Sequence, residues 1–180
     1  EAELVQLGTT GVANNNGPIA FRYPSGEGTG GRRPEVGTIL ENGKGKFVHH
    51  RRDGAILSFG AHLSEALKAR ENLMGQGMSV TIADARFAKP LDTDLIRQLA
   101  KNHRALITIE QGSKGGFGAM VLHELANTGQ LDEHLAVRTM TLPDRFIDQA
   151  APDAMYADAG LTAADIAATA LQAAGIKIPV

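Results

Sequence analysis

From Val36 onward, short unbroken apolar runs alternate with segments whose apolar positions recur every three or four residues, which is the pattern of strands alternating with helices. Ala55 to Phe59, Met78 to Ala83 and Ala105 to Ile109 read as buried strands. The last of these carries no polar alternation, as expected of a strand covered on both faces. Lys46 to His50 predicts an edge strand, with Arg51 to Gly54 as the turn after it. Leu63, Ala66, Leu67, Leu73 and Met74 repeat at helical spacing, and Gly75 or Gly77 ends that helix. A second helix carries Leu95, Ile96 and Leu99; Pro90 bars an earlier start and Asp92 can cap it. Met120 to Ala126 predicts a third helix, Ala136 to Leu142 a last strand, and Thr162 with Asp165 the capped start of a terminal helix. The fold class is α/β: a mainly parallel sheet with right-handed crossovers and helices on both faces, three layers in all.

Residues 1–33 read differently. A helical start from Glu1 leads to the polar turn Asn14 to Gly17, then to one extended apolar run, Pro18 to Tyr23, stopped by Pro24. Gly26, Gly28, Gly30 and Gly31 form a connector, placing a boundary near Arg33 and a second unit over 34–180. The opening Glu1 to Val5 looks like the continuation of a helix, so the chain is expected to be a piece of a longer one, cut by design or by proteolysis.

Composition narrows the function classes. With 18 basic and 20 acidic residues, net charge −2, there is no field to draw in nucleic acid or anionic lipid. The absence of cysteine removes disulfides, thiolate catalysis and thiolate metal sites, and fits a cytoplasmic location. No run reaches the ~18 apolar residues of a membrane span, and no secretory-type leader opens the chain.

Candidate chemistry centres on Arg86, which follows a predicted parallel strand where it runs out into a loop, the edge at which open α/β sheets bind ligands. Arg22 ends the other extended run, Pro18 to Tyr23. A planar, permanently charged guanidinium suits a phosphate, which accepts two of its N–H groups at once; each arginine equally suits a structural ion pair. Tyr23 could stack or donate at the same mouth, or simply pack. Gly112 to Gly118 lacks the order of residues that a P-loop or a dinucleotide fingerprint requires, so its glycines read as packing devices. His123 and Glu124 begin a zinc-protease pattern, but Asn127 stands where its second histidine belongs. Glu110, Asp144, Arg145 and Asp148 are polar candidates, read mainly as ion pairs that fix loops.

Four blocks, Pro18 to Pro24, Ala83 to Asp92, Phe117 in its glycine-rich turn, and Leu142 to Gln149, resemble in order and spacing the C-terminal part of the 1-deoxy-D-xylulose-5-phosphate synthases. These are transketolase-like thiamine-diphosphate enzymes, and the resemblance runs to about Leu171. It implies that residues 1–33 close a pyrimidine-binding domain and that 34–180 form a transketolase C-terminal-like domain. The whole enzyme would be a transferase that condenses pyruvate with D-glyceraldehyde 3-phosphate, losing carbon dioxide, on the way to isoprenoids and thiamine. Thiamine diphosphate and Mg²⁺ would serve it, and it would be a homodimer. In that family, arginines at the positions of Arg22 and Arg86 hold the acceptor phosphate. The diphosphate motif and the catalytic glutamate have no counterpart here, so the piece is expected to bind no cofactor and to be inactive alone. Family members commonly carry arginine after the proline of the first block, where this chain has Ser25. A transketolase, a 2-oxoacid dehydrogenase β subunit and a non-catalytic dimerisation module are the alternatives.

Overall fold

Strands whose successive residues are all apolar can be satisfied only between two layers. The computed structural model, which describes residues 2–23, 28, 30–132 and 134–176, builds such a sandwich. Helix α1 (Ala2–Ala13) comes first, followed by strands β1 (Lys46–His49) and β2 (Gly54–Phe59), then a 3-10 turn, Gly60–His62, and helix α2 (Leu63–Gly75). Strand β3 (Val80–Asp84), helix α3 (Thr93–Asn102), strand β4 (Ala105–Glu110) and helix α4 (Phe117–Asn127) alternate regularly. Strand β5 (Ala136–Met140) and helices α5 (Pro152–Asp158) and α6 (Ala163–Ala173) end the series.

The sheet order is β1-β3-β2-β4-β5. β2 pairs in parallel with both β3 and β4, and β4 with β5; only the border strand β1 runs antiparallel, against β3. Alternate residues of β2 divide between the two faces. Ile56 joins α2 and α6 through Ala66, Leu73, Ile166 and Leu171, while Ala55 and Leu57 join α3 and α4 through Leu95, Leu99, Val121 and Leu125. The three-layer expectation therefore holds.

Local signals explain most boundaries. Asp92 Oδ1 accepts from Leu95 N at 3.1 Å and its Oδ2 from Gly45 N at 2.9 Å, so one buried carboxylate caps α3 and pins the approach to β1. Thr162 and Asp165 form a reciprocal capping box at α6. Two boundaries and one unannounced helix are the main departures from the sequence reading. β5 stops at Met140 because Leu142 N leaves the ladder and donates to Gly112 O. α4 begins at Phe117, ahead of Met120, for a reason that lies in Glu110 and is described below. Short α5, which buries no residue fully, has no apolar stripe to announce it, only Pro152 in its first turn.

Residues 18–23 are not a strand, contrary to expectation: they are exposed and carry no regular structure. An extended run becomes a strand only when a neighbour takes its backbone groups, and no described strand pairs with it. Pro24, Ser25 and Gly26 lie outside the described residues. Contacts cross the expected boundary at 33 nonetheless: Leu40 N donates to Thr10 Oγ1 at 2.8 Å, and Glu3 reaches Arg86.

One buried residue makes stability depend on pH. His62 is 2% exposed, its ring edge-on to Tyr156 at 4.7 Å, and neither ring nitrogen has a well-formed hydrogen bond among the described residues. Burial depresses its pKa, only partly offset by the Leu161 backbone and by Glu65. The unfolded chain therefore binds a proton more readily, so stability is full above about pH 6.5 and falls as pH drops toward the depressed value, levelling off below it. Urea unfolding from pH 8 to pH 5 should show this loss, and His62→Leu should flatten it. A variant that keeps the full slope would show that other groups are responsible.

Candidate functional site

Arg86 stands two residues beyond the end of β3, at the carboxyl edge of the parallel strands. The chain turns there over three residues, Phe87 N donating to Ala85 O. Arg86, at the centre, has φ 55°, the one positive φ of a non-glycine among the described residues. Such a conformation costs about 1 to 3 kcal/mol and persists where the surroundings enforce it. Here Ala85 N donates to Ser58 O at 2.8 Å and Asp84 Oδ1 accepts from Arg86 N at 3.1 Å, clamping the turn from both sides. The direction of the guanidinium is thus set by main chain that is held in place.

Four charges meet at this turn. Glu3, in the first turn of α1, accepts through Oε1 from Arg86 Nη2 at 2.7 Å and from Lys46 Nζ. Lys46 opens β1 and lies opposite Asp84 in register, with Nζ 3.9 Å from Asp84 Oδ2. Burial pulls the Glu3 carboxyl upward, but the hydrogen bonds from Arg86 and Lys46 outweigh it and hold it below the usual range. For Asp84 burial wins: its carboxyl is raised, the Arg86 N–H and Lys46 offsetting only part of the effect and Glu3 adding to it. Two buried polar atoms, Arg86 Nε and Glu3 Oε2, have no hydrogen-bond partner among the described residues.

Arg22 and Tyr23 are exposed, and no hydrogen bond or ion pair joins either to this cluster among the described residues. The extended run that was to aim Arg22 is not part of a sheet. Glu3 and Lys46 are the partners that sequence reading misses. Asp84 had a signal, two positions before Arg86 at a strand end; Glu3, 83 positions away, had none.

The glycine-rich loop resolves into a different device. Glu110, at the end of β4 and 4% exposed, turns its carboxylate into the first turn of α4: Oε2 accepts from Phe117 N at 3.0 Å and Oε1 from Gly118 N at 2.8 Å. A Cβ on Gly112 or Gly116 would strike that carboxylate, so the glycines make room for it. The positive end of α4 already holds an anion of its own chain. This cap is also why α4 starts early. Among the remaining candidates, Arg145 pairs with Asp158 at 2.8 Å, tying the loop to the end of α5, while Asp144 and Asp148 are exposed. Glu124 pairs with Arg97, and no group of three His, Asp or Glu able to hold a metal occurs among the described residues. Beneath the Arg86 turn, Leu57, Phe87, Leu95 and Phe117 pack closely and leave no cavity that would hold a water molecule.

Comparison with known proteins settles the family. The profile of the transketolase C-terminal domain matches residues 43–166. The chain belongs to that family. Its transketolase C-terminal domain is also like solved ones: it superposes on a split-gene transketolase, described as an inactive β4 tetramer, with a TM-score of 0.68 and 27% identity, over 78% of this chain and 45% of that one. A Pichia stipitis transketolase variant, 16% identical, shares the fold with a TM-score of 0.54, over 73% of this chain and 18% of its own. In sequence the chain is similar to 1-deoxy-D-xylulose-5-phosphate synthase 2 of Jannaschia sp. (strain CCS1), 62% identical over 99% of this chain. It is likewise similar to the synthase of Rhodobacter capsulatus, 60% identical over 97% of this chain. It spans only 28% and 27% of the length of these two relatives. None of its described helices is long and apolar enough to cross a membrane.

Proposed function

We propose that this transketolase C-terminal domain, with residues 1–33 as the end of a pyrimidine-binding domain before it, grips the phosphate of the acceptor aldehyde in a 1-deoxy-D-xylulose-5-phosphate synthase. The observation that carries the reading is Arg86, an arginine held in a left-handed turn at the ligand-binding edge of a parallel sheet, with its Nε unpartnered among the described residues. The identity of about 60% to two synthases over nearly the whole chain supports it. Arg22, with Tyr23 beside it, would reach the same phosphate from the preceding segment. The acceptor would be D-glyceraldehyde 3-phosphate, the donor pyruvate, and the assembly a cytoplasmic homodimer.

Thiamine diphosphate and its Mg²⁺ would be held outside the described residues. Among these no three His, Asp or Glu gather as metal ligands, and Glu110 fills the helix terminus behind the glycine-rich loop. In this reading the carbanion chemistry belongs to other parts of the longer protein, and this portion alone is inactive. Its contribution is charge-assisted binding, ~1.5 to 3 kcal/mol per contact.

Arg86→Ala, placed in the longer protein that contains this chain, tests the reading. The KM for glyceraldehyde 3-phosphate should rise roughly 10- to 100-fold, as expected for one lost contact of that size, while decarboxylation of pyruvate proceeds at its ordinary rate. An acceptor KM left where it was would refute the assignment.

A further inference from the structure

The pairing between Glu3 and Arg86 is incomplete. A carboxylate that fully engages an arginine presents both oxygens to two N–H groups along one edge of the guanidinium. Glu3 offers Oε1 alone, and shares it between Arg86 Nη2 and Lys46 Nζ. Its Oε2 and the Arg86 Nε beside Nη2 are both buried and both without a partner among the described residues. Leaving two such groups unsatisfied is unfavourable. The arrangement is therefore one that a better-matched anion can replace, and the Nε–Nη2 edge is the edge a phosphate would take.

The charges of the cluster point the same way. Glu3 and Asp84 face Arg86 and Lys46, two carboxyl groups against two cations, so an approaching phosphate meets no uncompensated positive charge while Glu3 stays in place. Room is short as well, since only 17% of the Arg86 side chain is exposed. Glu3 sits in the first turn of α1, whereas Arg86, Asp84 and Lys46 all belong to the sheet and its rim. Movement of the start of α1 alone would uncover both cations together, and two positive charges match the double charge of a phosphate monoester. Asp84, 3.9 Å from Lys46 Nζ and with its carboxyl pKa raised by burial, stays with the sheet.

We propose that Glu3 is a built-in counter-anion of Arg86 and Lys46 that the acceptor phosphate must displace, so that α1 gates the phosphate site. The proposal rests on the phosphate reading of Arg86 given above, and its test separates the two. Inorganic phosphate and D-glyceraldehyde 3-phosphate are titrated calorimetrically against the whole chain and its Glu3→Gln, Glu3→Ala, Arg86→Ala and Glu3→Gln/Arg86→Ala variants, each first checked for an unchanged circular dichroism spectrum. Both Glu3 variants should bind the two anions about tenfold more tightly than the parent, and both Arg86 variants should lose that binding. If the Glu3 variants bind no more tightly while Arg86→Ala still abolishes binding, the gate is overturned and the phosphate site stands. If Arg86→Ala binds as the parent does, the phosphate site itself falls, and the gate with it.

Discussion

Glu110→Ala should cost about 4 kcal/mol of folding stability. The carboxylate is 4% exposed and accepts from two backbone N–H groups, those of Phe117 and Gly118, at 3.0 and 2.8 Å. Truncation leaves both donors buried without a partner, at about 1 to 3 kcal/mol each, removes a negative charge from the positive end of a helix, and opens a hollow between β4 and α4. Glu110→Gln keeps one acceptor but turns an amide N–H₂ toward the other donor, so it should fall between the parent and the alanine variant. Urea unfolding midpoints give the order directly. An alanine variant within about 1 kcal/mol of the parent would mean that water or a rearranged loop takes over the cap.

Gly116→Ala should lose about 3 kcal/mol in the parent background and far less where Glu110 is already alanine. An added Cβ would lie 2.5 Å from Glu110 Oε2 and 3.0 Å from its Cδ. The carboxylate cannot retreat without giving up the hydrogen bonds to Phe117 and Gly118, so the collision and the broken cap are one event. A double-mutant cycle over the two positions should therefore show a coupling of about 2 kcal/mol. Simple additivity would place the cost of the alanine somewhere other than this carboxylate.

These two residues also mark how far the sequence could be read. The strands of the parallel core were legible because burial on both faces forces an unbroken apolar run, as in Ala105 to Ile109, and α3 was legible because Asp92 advertises its cap. The reading of the Gly112 to Gly118 loop as a packing device holds, since Gly118 lies against Thr108 and Thr139. That two of its glycines exist for the sake of a carboxylate could not be seen, because nothing in one dimension says which way the Glu110 side chain turns. The run Pro18 to Tyr23 failed for a complementary reason: extended propensity is local, whereas a strand needs a second chain segment beside it. Arg86 was found from its place after a strand, yet its partner Glu3 lies 83 residues away and was invisible. Helix α5 escaped because Met155 and Tyr156 are the only large apolar residues in its seven and make no stripe to recognise.

The reversed direction of β1 brings Lys46 to the rim without a crossover helix, since its first residue, and not its last, lies opposite Asp84. The sheet thereby owns a cation whose backbone belongs to an outermost strand of only four residues, all partly open to water. The charge at that point can therefore be exchanged without repacking the apolar interior, which holds the rest of the sheet in place.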